Sequence, residues 1–207
     1  RGAIFNYWGK ADPAYRHEQK WHPLAYHSLD VAAVGVAYLE RSSLLKLCCK
    51  LLNCHEQDFL SWSGFLLALH DLGKFSEAFQ AQRPDLILAL QKREPNASKI
   101  YNERHDSLGF WLWDEYLVDE VLLEIGIDDS PATQRSLKCW LLAVTGHHGM
   151  PPKPSGNVDS FFLREDKQAA SAFVQAMARL LLTKEARCLP AHQNFKLAGE
   201  RLSWWFA

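Results

Sequence analysis

Ala68-Leu69-His70-Asp71-Leu72-Gly73-Lys74-Phe75 is the stretch on which the reading of this 207-residue sequence turns. An apolar run at helical spacing (Trp62, Phe65, Leu66 and Leu69) ends there in an imidazole and a carboxylate, with glycine close behind. A second apolar run ends the same way, in Leu141-Leu142-Ala143-Val144-Thr145-Gly146-His147-His148-Gly149. Ionisable groups at the end of a buried helix are costly unless they are paired.

Outward from these two runs the pattern is helical nearly throughout. Leu29–Leu52 carries apolar residues at helical spacing, with Asp30 in its first turn, where a negative charge suits the helix dipole. Asp58 reads as the N-cap of the helix leading to His70, and Gly73 as its end or bend. Pro84–Gln91 is a short helix, and the polar residues 92–103, with Pro95, are a loop. Asp106–Ile125 is a strongly aromatic helix, and Ala132–Val144 is another. Gly149–Asn157, rich in glycine and proline, must be irregular. Asp159–Leu182 and the residues from Phe195 onward are helical. No period-two run, internal repeat or linker stands out. The expected fold is all-α, a single helical domain.

Composition narrows the function. At 48% hydrophobic, 23% charged and 12% aromatic the chain is ordinary globular protein, which excludes disorder and fibrous repeats. Lys and Arg number 23 against 24 Asp and Glu, too even for a protein that grips long duplex DNA by charge alone. No apolar run can span a bilayer and no signal peptide opens the chain, so a membrane partner is not expected and a cytoplasmic location is. Five cysteines, an odd number without a C-x-x-C pair, fit a reducing compartment and disfavour a thiolate zinc site.

Imidazole and carboxylate are the donors that suit zinc, manganese, iron, nickel and cobalt ions. Adjacent helical residues point about 100° apart, so one ion rarely takes both His70 and Asp71. Two ions could, with Asp71 bridging them. Such pairs clamp the attacking and leaving oxygens in phosphodiester hydrolysis. Lys74, a turn beyond His70, could neutralise charge developing on a phosphate oxygen. Duller readings apply elsewhere. His17, His22, His55 and His192 are expected to be surface or satisfied core residues. Trp111 and Trp113, at helical spacing beside Phe110, are expected in the core. Trp8 and Trp21, near Lys10, Arg16 and Lys20, are the better candidates for a DNA or partner contact. The Pro-Lys-Pro loop at 151–154 either gates the site or is a plain surface loop.

His70-Asp71 resembles the motif of the HD phosphohydrolase superfamily. The ordered set of blocks is similar, more narrowly, to the HD nuclease domain of the type I CRISPR-associated helicase-nuclease recruited by Cascade. The blocks are Tyr7-Trp8-Gly9-Lys10, Tyr26-His27-Ser28-Leu29-Asp30, Ala68 to Phe75, Arg104-His105-Asp106-Ser107, and Val144 to Gly149. This resemblance implies an HD-domain helical bundle and a metal-dependent nuclease cutting single-stranded DNA in antiviral defence. It implies two divalent ions (iron, manganese, cobalt or nickel, with magnesium possible). His27, His70 and Asp71 would hold the first, and Asp71 would bridge to a second held by His105, His147 and His148. Asp71 and Lys74 would be the catalytic pair. The implied partners are single-stranded DNA, a helicase part of the same protein and Cascade, with ATP used only by the helicase. The family's last aspartate would lie just past Leu202-Ser203-Trp204-Trp205-Phe206-Ala207. Residues 1–207 are therefore expected to be the N-terminal HD piece of a longer protein. Two alternatives stand beside this: a phosphohydrolase of small nucleotides, and a metal-poor module that docks on Cascade or an inhibitor.

Overall fold

The computed structural model describes residues 3–11 and 21–206. Helix α3 (Glu56–Ala68) is its axis, because it is apolar on nearly every side: Asp58 through Ala68 are all buried. Helix α1 (Leu24–Leu39) packs along α3 most extensively, while α2 (Ser43–Leu52), α8 (Pro131–Thr145) and α9 (Arg164–Leu181) cover its other sides. The short helices α4 (Glu77–Gln80) and α5 (Pro84–Gln91) follow a 3-10 turn at Leu72–Phe75. Helix α6 (His105–Leu112) lies against that turn and runs through a π-helical turn at Trp113–Leu117 into α7 (Val118–Val121). Helix α10 (Phe195–Leu202) packs on α8, where Trp140 stacks on Phe195 with ring centroids 5.1 Å apart and donates its indole N–H to the Phe195 carbonyl. The fold is thus an all-α bundle, as the periodicity predicts.

Several details differ. The helix expected over Leu29–Leu52 is two helices, broken at residues 40–42, where the Ser42 hydroxyl accepts from the Leu44 amide and caps α2. Asp58 is not an N-cap. His55 holds that position, and the Asp58 carboxylate is buried under the Thr183 hydroxyl at 3.0 Å. A two-stranded antiparallel sheet, β1 (Trp8–Ala11) with β2 (Trp21–Pro23), went unread. Strands of four and three residues with a register shift after Trp8 are too short for a period-two pattern.

Trp8 is also corrected as a contact candidate. It is buried against Phe79 and Leu86, with its indole N–H on the Gln80 carbonyl. Trp21 is half-buried against the same cluster, and Arg16, His17 and Lys20 lie outside the described residues. Trp111 and Trp113 are core residues, as expected. Among the described residues no helix is long and apolar enough to cross a membrane.

Candidate metal centre

Four helix ends meet at one place. His27 lies in the first turn of α1, and His105 is the first residue of α6. His70-Asp71 follows the last turn of α3, and His147-His148 follows α8. Helix ends are where the chain can leave regular structure without breaking a hydrogen-bond ladder, so each end can turn a side chain inward.

Asp71 is the centre, 1% exposed. Its Oδ2 is 3.0 Å from His27 Nε2, 3.0 Å from His70 Nε2 and 2.7 Å from Lys74 Nζ. Its Oδ1 is 3.4 Å from His105 Nε2 and 3.6 Å from His147 Nε2. His148 Nε2 lies 3.2 Å from His105 Nε2. All seven residues singled out from the sequence (His27, His70, Asp71, Lys74, His105, His147 and His148) are therefore brought together. Two donor groups result, His27/His70/Asp71 and His105/Asp106/His147/His148, each with ligand atoms within 4.8 Å of one another.

The surroundings set the ring orientations. His70 Nδ1 bonds the Leu67 carbonyl at 2.9 Å, which leaves Nε2 facing Asp71. His105 Nδ1 is 3.2 Å from the Tyr101 hydroxyl, which also accepts from the His105 amide. Neither Asp71 oxygen, nor Asp106 Oδ1, nor His147 Nδ1 has a partner in hydrogen-bonding geometry, although all are buried. His27, His70 and Lys74 stand within 3.0 Å of Asp71 Oδ2 but not in hydrogen-bonding geometry. Buried carboxylate oxygens without partners are costly. A divalent cation answers them, so the donor set fits two such ions.

The electrostatics suit this. Burial alone would raise the Asp71 carboxyl, but the adjacent His70 and His27 rings and the Lys74 ammonium hold it well below the ordinary range. Burial pulls His105 and His147 down to about 4, against the opposing pull of Asp71. Both rings are then neutral at pH 7, the form that donates a lone pair to a metal.

A cavity of about 370 Å³ opens onto the group, lined by Lys10, His27, His70, Asp71, Lys74 and His147 among others. Lys74 Nζ also donates to the Gly9 carbonyl at 3.2 Å, and Gln80 ties β1 to the Lys74 carbonyl through its side-chain amide. The small sheet thus positions the lysine. The loop at 149–157 is pinned to α6: the Lys153 amide donates to Ser107 Oγ, and Trp111 Nε1 donates to the Lys153 carbonyl.

Three residues of the site escaped the sequence. Tyr101 carries no pattern that marks it, and Lys10, though part of the Tyr7-Trp8-Gly9-Lys10 block, reads there only as a neighbour of Trp8 and not as a site residue. Asp106 is marked, since it follows a motif histidine directly, but an acid in the first turn of a helix reads as a dipole partner. The other described histidines stay outside. His22 pairs with Asp30 at 2.9 Å on the surface, His55 is exposed, and His192 accepts from the Asn194 amide.

A family model described as "Cas3, HD domain" matches residues 8–207. The chain is 29% identical over 198 residues to the CRISPR-associated endonuclease/helicase Cas3 of Escherichia coli (strain K12), covering 87% of this chain and 22% of that protein. The crystal structure of T. fusca Cas3 with AMPPNP has a TM-score of 0.69 at 20% identity, covering 98% of this chain and 22% of that one. The crystal structure of the Thermus thermophilus cas3 HD domain in the presence of Ni2+ has a TM-score of 0.53 at 21% identity, covering 99% and 89%. At these identities the structural likeness concerns the fold. The chain spans about a fifth of the curated relative's length, 22%.

Proposed function

Because this chain belongs to the Cas3 HD domain family, we propose that it is the HD nuclease domain, residues 1–207, of a longer helicase-nuclease, and that it cleaves single-stranded DNA with two divalent transition-metal ions. The observation that carries this reading is the division of Asp71. One oxygen faces His27 and His70, and the other faces His105 and His147. A single carboxylate between two sets of imidazoles is what a bridged ion pair requires. His27, His70 and Asp71 would hold one ion; Asp71, His105, His147 and His148 would hold the other. Nitrogen-rich donors of this kind suit manganese, iron, cobalt or nickel.

Bound there, the ions supply charge for the scissile phosphate and lower the pKa of a water. The chain does the rest. Asp71 keeps its negative charge because Lys74 and the imidazoles stabilise it. Lys74, on the cavity wall, offers a point charge to a phosphate oxygen, and Lys10 adds a second at the same cavity. The near-neutral chain, at net charge −1, leaves strand capture to another part. In this reading the partners are single-stranded DNA, an ATP-driven helicase part and the Cascade complex, in the cytoplasm.

The test is circular single-stranded DNA with added Mn2+ or Ni2+, beside an EDTA control and Asp71→Ala. Nicking that needs both metal and Asp71, by a variant with an unchanged circular dichroism spectrum, is the expected result. Cleavage surviving in Asp71→Ala overturns the site. Turnover of free nucleotides with circles left intact overturns the substrate in favour of a small-molecule phosphohydrolase.

A further inference from the structure

We infer that Asp106 is itself a metal ligand, the second carboxylate of the site, binding the ion held by His105, His147 and His148. This rests on the two-ion reading above. Asp106 is 1% exposed, and its two oxygens have different surroundings. Oδ2 is taken by the Arg104 guanidinium. Oδ1 is buried and has no partner among the described residues.

That orphaned oxygen points into the site. It is 3.4 Å from His105 Nε2 and 3.9 Å from His148 Nε2, which are themselves 3.2 Å apart. Donors to one ion, each about 2.0–2.2 Å from it, can stand up to about 4.4 Å from one another. The three atoms meet that limit.

The nitrogen that Asp106 faces decides its role. A carboxylate that merely orients a ligating histidine bonds the ring nitrogen pointing away from the ion. On His105 that nitrogen is Nδ1, and Tyr101 already faces it. Asp106 Oδ1 faces Nε2, on the side where the other donors converge. A purely structural carboxylate, paired with Arg104 near a helix N-terminus, accounts for Oδ2 and leaves Oδ1 unexplained.

The purified chain is titrated with Mn2+, counting the free ion by its EPR signal, and with Co2+, following its d–d absorption. Wild type is expected to take two ions. Asp106→Asn is expected to weaken one of them about 10- to 100-fold, the range seen when a metal site loses a supporting group, and to leave the other unchanged. The Co2+ band of the weakened site should change shape as a donor is lost. Arg104→Gln removes the ion pair and keeps Oδ1, so it should retain both ions; a structural role for Asp106 would make the two variants alike. If Asp106→Asn fails to fold by circular dichroism, Asp106→Glu replaces it, and its displaced carboxylate must alter the same Co2+ band. Two ions bound with wild-type affinity and an unaltered band in the Asp106 variants overturn this assignment alone. A wild-type chain that takes up neither Mn2+ nor Co2+ overturns it together with the function beneath it.

Discussion

Replacing Gly73 with alanine should separate the two halves of the site. A Cβ at this position would run into the carbonyl oxygen of His105, stand 2.6 Å from the Gly109 amide nitrogen and 2.8 Å from the His105 carbonyl carbon. Ordinary contact begins near 3.4 Å. All three atoms are backbone, so no rotamer change relieves the clash. Helix α6 must retreat by more than about 0.8 Å, which is the shortfall at the Gly109 nitrogen (3.4 less 2.6 Å), because the His105 carbonyl oxygen lies closer still. His105 opens that helix, so its Nε2, now 3.4 Å from Asp71 Oδ1, moves out with it. Overpacking of this kind costs about 1–3 kcal/mol. For a chain of this size each kcal/mol lowers Tm by about 2–4 °C, so a fall of about 2–12 °C is expected by calorimetry. Mn2+ affinity at the subsite containing His105 should fall about tenfold or more, as when a supporting group is lost. Two controls grade the effect. Gly109→Ala brings its Cβ to 2.8 Å from the Gly73 nitrogen, with the next contacts at 3.6 Å, and should be milder. Gly149→Ala meets nothing within 4 Å; at φ +76° it should carry only the left-handed backbone cost, about 1–2 kcal/mol, and leave metal affinity alone. A Gly73→Ala protein with wild-type Tm and wild-type affinity for both ions would refute the reasoning.

Other expectations follow from the same geometry. Lys74→Met should keep both ions bound but slow cleavage of circular single-stranded DNA about 100-fold, the scale of losing one preorganised charge donor; an unchanged rate would remove Lys74 from the chemistry. Tyr101→Phe frees His105 Nδ1 and should weaken the adjacent ion about tenfold in a chelator competition, with little effect on Tm; unaltered affinity would show that the hydroxyl does not orient the ring. In EDTA, stability should fall on acidification. His105 and His147 sit near 4 in the fold and 6.5 in the unfolded chain, so between those values the unfolded chain binds more protons and stability is lost as pH drops. Burial of Asp166, which pushes its carboxyl up to about 6, works the other way over part of that window and cancels about one of the two protons. Urea midpoints at pH 7 and pH 5 measure the net effect, and a midpoint that rises at pH 5 would contradict it.

The helical architecture was readable because α3 and α8 carry long apolar patterns that only burial can satisfy. The break between α1 and α2 was harder, since the apolar period continues across residues 40–42 and only the Ser42 cap marks the interruption. The hairpin was unreadable for the opposite reason. Its strands are held by pairing and by Gln80, neither of which leaves a periodic trace. Trp8 looked free because it lies on a loosely patterned stretch with Lys10, yet its neighbours in space are Phe79 and Leu86.

The site divides along the same line. Residue order alone marked His70-Asp71 and His147-His148, since motifs at the ends of apolar runs are local facts of the sequence, whereas His27 and His105 were indicated only by the family resemblance. Only the tertiary structure decided which oxygen of Asp71 faces which ring, that Tyr101 stands behind His105, and that Asp106 turns an oxygen inward. Those depend on how closely α6 lies on the glycine turn at residues 72–75. That approach is set by backbone atoms from distant parts of the chain meeting across a gap with no room for a Cβ.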